Sequence, residues 1–412
     1  TDNLAHCAEI WINELRLTDF NNEGGWATTG QVQAKLADLG MVSLAGTYKT
    51  PFWGGVESKI NERTKETNFN WDMTSSINAG KFFSDKLKIT LPLFYNFGQT
   101  VIIPLFNPLD PDVLMSAFNN IPIPDSTKSK IKDQIIDYTE RKGFNISNFR
   151  IDGLKRKKAK PMPLDISNFS ATYAYNENFK RSINIEYNIN KQYRGNLQYS
   201  YSFKNPIVFK PFSKIKLFEN KWFTLIKDFS FQLTPNSFGA SIDLSRTYVA
   251  LKNRDVTSFY AGSNDFFNPT LINKNFTITR SYNFRWDINK SIKYDYTASN
   301  DGRILEPYGE VFKENKTNAD SIINVFFNGK NINGKTQGKY GENNVFRQAM
   351  NLNLDIPINK IPIFDFIKST YRYSGTYTWN RRPFAADDNI GNTIQNTSSH
   401  NITGNFNLTN LY

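Results

Sequence analysis

The chain has 412 residues, a net charge of +12, 15% aromatic residues and a mean hydropathy of −0.52. Its apolar runs are shorter than the roughly 18 residues that a membrane-spanning helix requires, which excludes transmembrane helices. The single cysteine, Cys7, excludes an internal disulfide. Apart from one cluster at 155–160 the basic residues are scattered, so we expect no nucleic acid as a partner.

Apolar and polar residues alternate along much of the chain, and this period of two predicts strands with one apolar and one polar face. The predicted strands are about nine to eleven residues long, which is the length of a tilted membrane-spanning strand. In chain order their apolar positions are Phe69, Trp71, Met73 and Ile77; Leu87, Ile89, Leu91, Leu93 and Tyr95; Ile183, Ile185, Tyr187 and Ile189; Leu197, Tyr199, Tyr201 and Phe203; Phe229, Phe231 and Leu233; Phe238, Ala240, Ile242 and Leu244; Tyr282, Phe284, Trp286 and Ile288; Ile292, Tyr294 and Tyr296; Met350, Leu352, Leu354 and Ile356; Tyr371, Tyr373, Tyr377 and Trp379; and Ile402, Phe406 and Leu408.

One segment, 107–166, departs from this alternation. Asp125 or Ser126 is predicted to cap a helix in which Ile131, Ile135 and Tyr138 share one face. The chain therefore divides into strands with an N-terminal segment at 1–106, an irregular or helical insertion at 107–166, and strands with long loops at 167–412. Counting the crossings places the insertion on the side of the short turns.

The connections alternate between short and long. Short turns are predicted near Lys191, at 235–237 and at Asn289 and Lys290. Outer-membrane barrels keep short turns on the periplasmic side and long loops on the outside, whereas a soluble sandwich has no such asymmetry. The long connections, all expected on the cell surface, are 205–227, 246–274, 300–345 and 381–398.

The environment of each face is the central question, because alternating strands also build soluble sandwiches. Here Tyr and Trp are frequent on the apolar side, as in a headgroup girdle, and Asn, Ser, Thr and Gln dominate the other side, as in a water-filled lumen. The predicted fold is all-β, an antiparallel transmembrane β-barrel segment with a small helical insertion. The residues predicted to face lipid are Ile185, Tyr187, Leu197, Tyr199, Tyr201, Trp286, Tyr294, Tyr373 and Trp379. Those predicted to face the lumen are Asn184, Glu186, Asn188, Gln198, Ser200, Arg285, Asp287, Arg372 and Thr376.

The sequence carries no pattern typical of an enzyme. His6 and His400 belong to no metal motif, and with one cysteine neither a zinc site nor a Cys-His pair is indicated. Asp387, Asp388 and Asn389 lack the following glutamate of a calcium loop, so a solvated turn is the better interpretation. We expect no catalytic residues, no metal and no cofactor.

Three segments carry a family resemblance. The first is EIWINELRLTDF at 9–20, the second is GGWATTGQVQAKLADLG at 24–40, and the third is VIIPLFNPLDPDVLM at 101–115. Together they resemble the SprA/Sov family, the outer-membrane translocon of the type 9 secretion system in Bacteroidota. The residues that match are Trp11, Asn13, Glu14, Leu15, Arg16, Gly24, Gly25 and Trp26.

This resemblance implies that the chain is a portion of a very large single-chain outer-membrane barrel. The implied function is to conduct folded cargo proteins, tagged by a C-terminal secretion domain, for secretion and gliding motility. The implied partners are a PorV-type shuttle barrel, a periplasmic plug protein and the cargo in transit, besides outer-membrane lipid and lipopolysaccharide. Two alternatives stay open: a TonB-dependent or porin-like barrel, and a soluble aromatic-rich β adhesin or carbohydrate binder.

Overall fold

The large sheet is the main feature of the computed structural model, which describes residues 23–117, 124–153, 162–213, 215, 220–255, 268–306, 326–332, 335–383 and 390–407. In these residues thirteen long strands and the short strand Ile89–Thr90 form one antiparallel sheet. The long strands are β1 (Ala27–Leu36), β2 (Gly40–Lys49), β3 (Glu66–Asn78), β4 (Pro92–Pro104), β5 (Asp137–Ile151), β6 (Phe169–Arg181), β7 (Ile185–Ser202), β8 (Ser237–Asn253), β9 (Leu271–Asp287), β10 (Ile292–Arg303), β11 (Glu342–Ile356), β12 (Ile367–Asn380) and β13 (Thr393–Phe406). The prediction of a mainly antiparallel β structure is confirmed.

Each long strand pairs with the next one in sequence, so the connections alternate between the two ends of the sheet. We call the end at which β1 passes to β2 end A; strands are joined there across 37–39, 79–91, 152–168, 203–236, 288–291 and 357–366. At the opposite end, end B, strands are joined across 50–65, 105–136, 182–184, 254–270, 304–341 and 381–392.

The remaining elements are small and lie in the connections. Helix α1 is Asp125–Ile135 and helix α2 is Thr224–Lys227. Three two-stranded ribbons pair Phe106–Asn107 with Asp110–Leu114, Val208–Phe209 with Phe231–Gln232, and Lys330–Ile332 with Lys335–Gln337. Short 3-10 turns are Ile60–Glu62, Ala79–Phe82, Ile166–Asn168, Lys221–Phe223, Pro357–Lys360 and Pro362–Phe364. In the described part of the chain, the helices are too short and too polar to cross a membrane.

The sheet is open among the described residues. β1 pairs only with β2, and β13 pairs only with β12. All residues of both edge strands are exposed. The described strands therefore form no closed barrel; the sequence predicts a segment of one.

The hairpin predicted around Lys191 is wrong, because β7 runs without interruption over 18 residues. Residues 188–199 pair with β6 on one side, and they also pair with β8 on the other. The polar stretch that resembled a turn keeps the strand alternation: Lys191 forms an ion pair with Glu177, and Tyr193 packs against Tyr175. The second predicted turn, at 235–237, is also no hairpin turn, since Phe231–Gln232 pairs outside the large sheet.

These two errors change the predicted sidedness. The connections at 254–270, 304–341 and 381–392 share end B, as expected of loops on one side. The connection at 203–236, however, lies at end A, because β7 is one strand and not two. The third predicted turn is present: Asn289 Oδ1 accepts hydrogen bonds from the backbone N–H groups of Ser291 and Ile292 between β9 and β10.

The insertion also differs from its prediction. Helix α1 is Asp125–Ile135, and its N-cap residue is Pro124 instead of Asp125 or Ser126. Tyr138 lies in β5 and not on the helix. Since β5 occupies Asp137–Ile151, the segment 107–166 is not irregular throughout. α1 lies at end B, with three of the long connections, and not on the side of the short turns.

Candidate functional surfaces on the two faces of the sheet

One face of the sheet carries aromatic and aliphatic side chains along every long strand, and we call it the aromatic face. The strand register places one such residue from each strand there, for example Val32, Leu44, Phe69, Phe97, Phe144, Tyr173, Leu197, Ile242, Tyr282, Tyr294, Leu352, Tyr373 and Ile402. Many of these side chains are exposed, including Val32, Leu197 and Ile402. An apolar surface of this extent is far larger than the patches of ordinary soluble monomers.

The opposite face carries polar side chains on all thirteen strands, with a few apolar ones such as Phe94 and Ile102 among them, and we call it the polar face. It carries Gln33, Ser43, Asn70, Thr100, Arg141, Asn176, Gln198, Ser241, Asn283, Thr297, Arg347, Thr376 and Thr397. A groove of 640 Å³ opens over its centre and is lined by residues such as Gln198, Ser241, Asn283 and Arg347. The groove shows that this part of the face is concave.

The residues predicted to face lipid or lumen separate between these two faces. Tyr187, Leu197, Tyr199, Tyr201, Trp286, Tyr294, Tyr373 and Trp379 are on the aromatic face. Asn188, Gln198, Ser200, Arg285, Asp287, Arg372 and Thr376 are on the polar face. Ile185 and Glu186 lie at an irregularity of the β7–β8 register, and Asn184 precedes β7. What each face contacts stays a prediction.

Tyr201 does not fit the prediction that its side chain faces lipid. Its side chain is on the aromatic face, but the residue is only 8% exposed. Its ring lies 4.7 Å from that of Phe203 in an edge-on arrangement. Tyr201 is therefore covered by the chain itself and is not a lipid contact.

Charged groups on the polar face are paired across strands. Arg141 lies 2.9 Å from Asp72, and Arg347 lies 2.8 Å from Asp301. The hydroxyl of Thr279 also donates to Asp301. These pairs balance opposite charges within the polar face.

At Gly143 the polar face has no room for a larger side chain. An added Cβ at Gly143 would lie 1.9 Å from Asn96 Oδ1 and 3.0 Å from Asn176 Oδ1. The two amide side chains from β4 and β6 therefore lie across the strand between them. Gly195, on the aromatic face, has no such neighbour, since its nearest contact would be Leu244 at 3.9 Å.

The aromatic face contains a second feature, which we call the ion-pair belt. It consists of Glu140, Lys142, Glu177, Lys191, Arg246 and Glu306, and it crosses β5 to β8 and the end of β10. Lys142 pairs with Glu140, and Lys191 lies 3.3 Å from Glu177. Arg246 forms two hydrogen bonds with Glu306, of 2.6 and 2.7 Å.

The belt is hydrogen-bonded and mostly buried, with Lys142, at 40% exposed, as its most accessible side chain. The side chains of Arg246 and Glu306 are 12% and 4% exposed. Tyr138 donates to Glu140, Tyr175 donates to Glu177, and the guanidinium of Arg246 lies over the ring of Tyr193. Burial of charge is tolerated only with such partners. The sequence reasoning missed the belt, although charged residues at a period of two within an apolar pattern are its signal.

Among the described residues no cluster of His, Cys, Asp and Glu has the arrangement of a metal site. His400 Nδ1 lies 2.8 Å from the hydroxyl of Tyr371 on the aromatic face. His6, Cys7, Asp387, Asp388 and Asn389 lie outside the described residues.

The structure describes the second part of the N-terminal motif, Gly24, Gly25 and Trp26. Trp11, Asn13, Glu14, Leu15 and Arg16 lie outside the described residues. Gly25 has no room for a side chain, since a Cβ would lie 2.1 Å from the backbone nitrogen of Trp53. Trp26 follows, donates its backbone N–H to Thr50 Oγ1 and packs its ring 5.2 Å from Tyr48. Gly25 and Trp26 thus fasten the start of β1 to the end of β2, whereas an added Cβ at Gly24 would meet nothing within 4 Å.

Residues 1–118 match the family model SprA_N, described as a motility-related or secretion protein. This match includes the N-terminal motif and ends after β4. No curated protein matches the chain. The N-terminal part is therefore related to motility and secretion proteins.

Proposed function

We propose that the sheet is part of the wall of an outer-membrane translocon, with the aromatic face toward lipid and the polar face toward a protein-conducting lumen. The observation that carries this proposal is the continuous separation of apolar and polar residues over thirteen strands. An exposed apolar face of this size requires a cover, and the hydrocarbon layer of a membrane supplies one.

The ion-pair belt limits where the hydrocarbon layer can lie, since charged groups are costly there. Eleven residues of β7 separate Lys191 from Ser202 at end A. At about 3.3 Å a residue they span about 36 Å of strand. A tilt of about 45° reduces this to roughly 26 Å, close to the roughly 25 Å apolar band of outer-membrane barrels. We place the bilayer between the belt and end A.

This position gives the molecule an orientation. End B, with the longer connections, would lie on the cell surface, and end A would lie in the periplasm. A cysteine at Gly338, at end B, should react with an impermeant maleimide on intact cells. A cysteine at Lys290, at end A, should react only after the outer membrane is opened. Labelling of both on intact cells would contradict a membrane-spanning sheet, and the reverse result would invert the orientation.

The secretion role rests on the family match at 1–118. Type 9 secretion, gliding motility, the PorV-type shuttle barrel and the periplasmic plug protein enter through the resemblance. The polar face suits passage of a folded protein, because its hydroxyl and amide groups solvate the passing protein and offer no large apolar patch to which it would bind. No residue with a catalytic role is part of this proposal.

Photo-crosslinking can test the path of the cargo. Ser241 is on the polar face and its neighbour Ile242 is on the aromatic face, so a photoreactive residue at either position samples one face. We expect secreted proteins with a C-terminal secretion domain to crosslink at position 241 and not at 242. Solute flux without any protein crosslink at 241 would favour the porin-like alternative. Release of the intact protein into buffer without detergent would favour the soluble alternative.

A further inference from the structure

The connection at 203–236 is unusual in composition. It contains six lysines and two acidic residues, interspersed with Phe, Ile, Leu and Trp, as in KWFTLIK at 221–227. Segments that combine lysine with large apolar side chains are typical of elements that lie in the interface of a membrane.

The structure places this connection beside the aromatic face. The ring of Phe231 packs edge-on at 5.8 Å against Trp286, whose Nε1–H donates to the carbonyl of Gln232. Tyr201, also on the aromatic face, is buried. The connection is therefore held at the side of the sheet that we propose to face lipid.

In the described parts of the same connection, apolar side chains are exposed although the backbone is held at several points. Ile207 and Trp222 are 60% and 55% exposed, and Phe209 and Leu233 are exposed as well. The ribbon of Val208–Phe209 with Phe231–Gln232 fixes two parts of it, and Asp228 forms an ion pair of 2.9 Å with Lys360. The exposure therefore belongs to an ordered arrangement.

Charge is distributed unequally between the ends of the sheet. The connections at end A contain 16 Lys and Arg against 7 Asp and Glu, whereas those at end B contain 14 of each. The basic cluster at 155–160 belongs to another end-A connection. A net positive charge thus accompanies the exposed apolar residues at end A, whereas the connections at end B are balanced in charge.

We propose that the described parts of the connection at 203–236, which are 203–213, 215 and 220–236, lie in the headgroup layer of the leaflet at end A and bind anionic phospholipid. This inference rests on the proposed membrane location of the sheet. Trp222 and its apolar neighbours enter the interface, and Lys204, Lys210 and Lys227 remain at the level of the lipid phosphates. Its partner is a lipid surface and not the lumen or the cargo.

The test uses environment-sensitive probes in the full chain reconstituted into bilayers. Cys7→Ser removes the native thiol, and single cysteines at Trp222, Val56 and Ile242 then carry a fluorophore. Val56 is an exposed apolar residue at end B whose connection is nearly balanced in charge, so it is the matched control. Ile242 reports whether the sheet itself is in lipid.

The probe at 222 should be quenched by lipids that carry a quencher near the headgroup, and the probe at 56 should not. Adding phosphatidylglycerol to phosphatidylcholine should strengthen quenching at 222 about twofold or more. Replacing the six lysines with glutamine should remove that dependence. Replacing Lys313, Lys316, Lys330, Lys335 and Lys339 at end B should not.

Each other outcome has a defined meaning. Lipid quenching at 242 with a water-exposed probe at 222 overturns this inference alone. A probe at 222 that is shielded from water but not quenched by lipid indicates a protein cover, which also overturns it. Equal quenching with and without phosphatidylglycerol excludes anionic selectivity. A water-exposed probe at 242 overturns the membrane location itself.

Discussion

The two faces of the sheet are formed by the same strands, yet they treat charged side chains differently. On the polar face Arg347 and Asp301 are 55% and 38% exposed and form a simple pair. On the aromatic face Arg246 and Glu306 are almost fully buried, doubly hydrogen-bonded and accompanied by tyrosines. Charged side chains are thus exposed on the polar face, whereas those of the belt on the aromatic face are accompanied by hydrogen-bond partners and cover.

The largest effect should follow removal of one member of the buried pair. Glu306→Gln leaves the guanidinium of Arg246 buried without its counter-charge, which should cost about 3–5 kcal/mol in the free energy of unfolding. The matched change on the polar face, Asp301→Asn, removes an exposed pair and should cost less than about 1 kcal/mol. Urea unfolding in detergent micelles measures both. Equal losses would show that the two faces do not differ in this way.

Adding one charged side chain should cost more stability on the aromatic face than on the polar face. This difference should be somewhat smaller than that between Glu306→Gln and Asp301→Asn. Leu197 and Gln198 are neighbours in β7 on opposite faces, between the belt and end A. Leu197→Lys should destabilise the assembled protein by about 2–4 kcal/mol if this position is near the bilayer centre, whereas Gln198→Lys should be nearly neutral. The measurement is the folded fraction in lipid bilayers against urea. A tolerated Leu197→Lys would contradict lipid contact there.

The chemistry of the faces was predictable from the sequence, whereas part of the topology was not. In β8, β9 and β12 strict alternation gives the correct face for Ile242, Trp286 and Tyr373. At Lys191 the same rule failed, because an ion pair on the apolar side looks like a polar turn in the sequence. The partner, Glu177, is on another strand, and only the tertiary register brings it near.

The second topological error has a different cause. Phe231 belongs to an apolar period, but it packs on Trp286 from outside the sheet and pairs with a two-residue ribbon. Periodicity reports an apolar side and does not report which element covers it. The prediction counted β7 as two strands and the ribbon strand at 231–232 as a strand of the large sheet. Together these errors add two strands, so they leave the predicted side of every later connection unchanged. The connections beyond β8 therefore share an end as predicted, and only 203–236 is reversed.

A third and weaker difference between the two faces is the space available for a side chain at a glycine position. Gly143→Ala places a methyl group against the amide oxygens of Asn96 and Asn176, and displacing them should cost about 1 kcal/mol. Gly195→Ala on the aromatic face meets only an ordinary contact with Leu244 and should be neutral or slightly stabilising. The double change Asn96→Ala with Gly143→Ala should recover part of the loss. An equal cost at both glycines would point to backbone strain and not to the side chains.

The smallest effect should come from the ion pair between Asp228 and Lys360, which lies at end A and outside both faces. The hydrogen bond from Lys360 lowers the pKa of Asp228, with further attraction from Lys360, Lys290 and Lys227. Because the folded-state pKa is below the unfolded value of about 3.9, the stabilisation is present above that pH. It is lost as the pH falls through the folded-state pKa. Both groups are exposed to water, so the contribution should stay within about 0.5 kcal/mol. Stability measured from pH 5 down to pH 3 should show this small loss in the native chain and not in Lys360→Gln. A loss of stability as large as that expected for Glu306→Gln would show that this ion pair at end A is as strongly shielded from water as the belt.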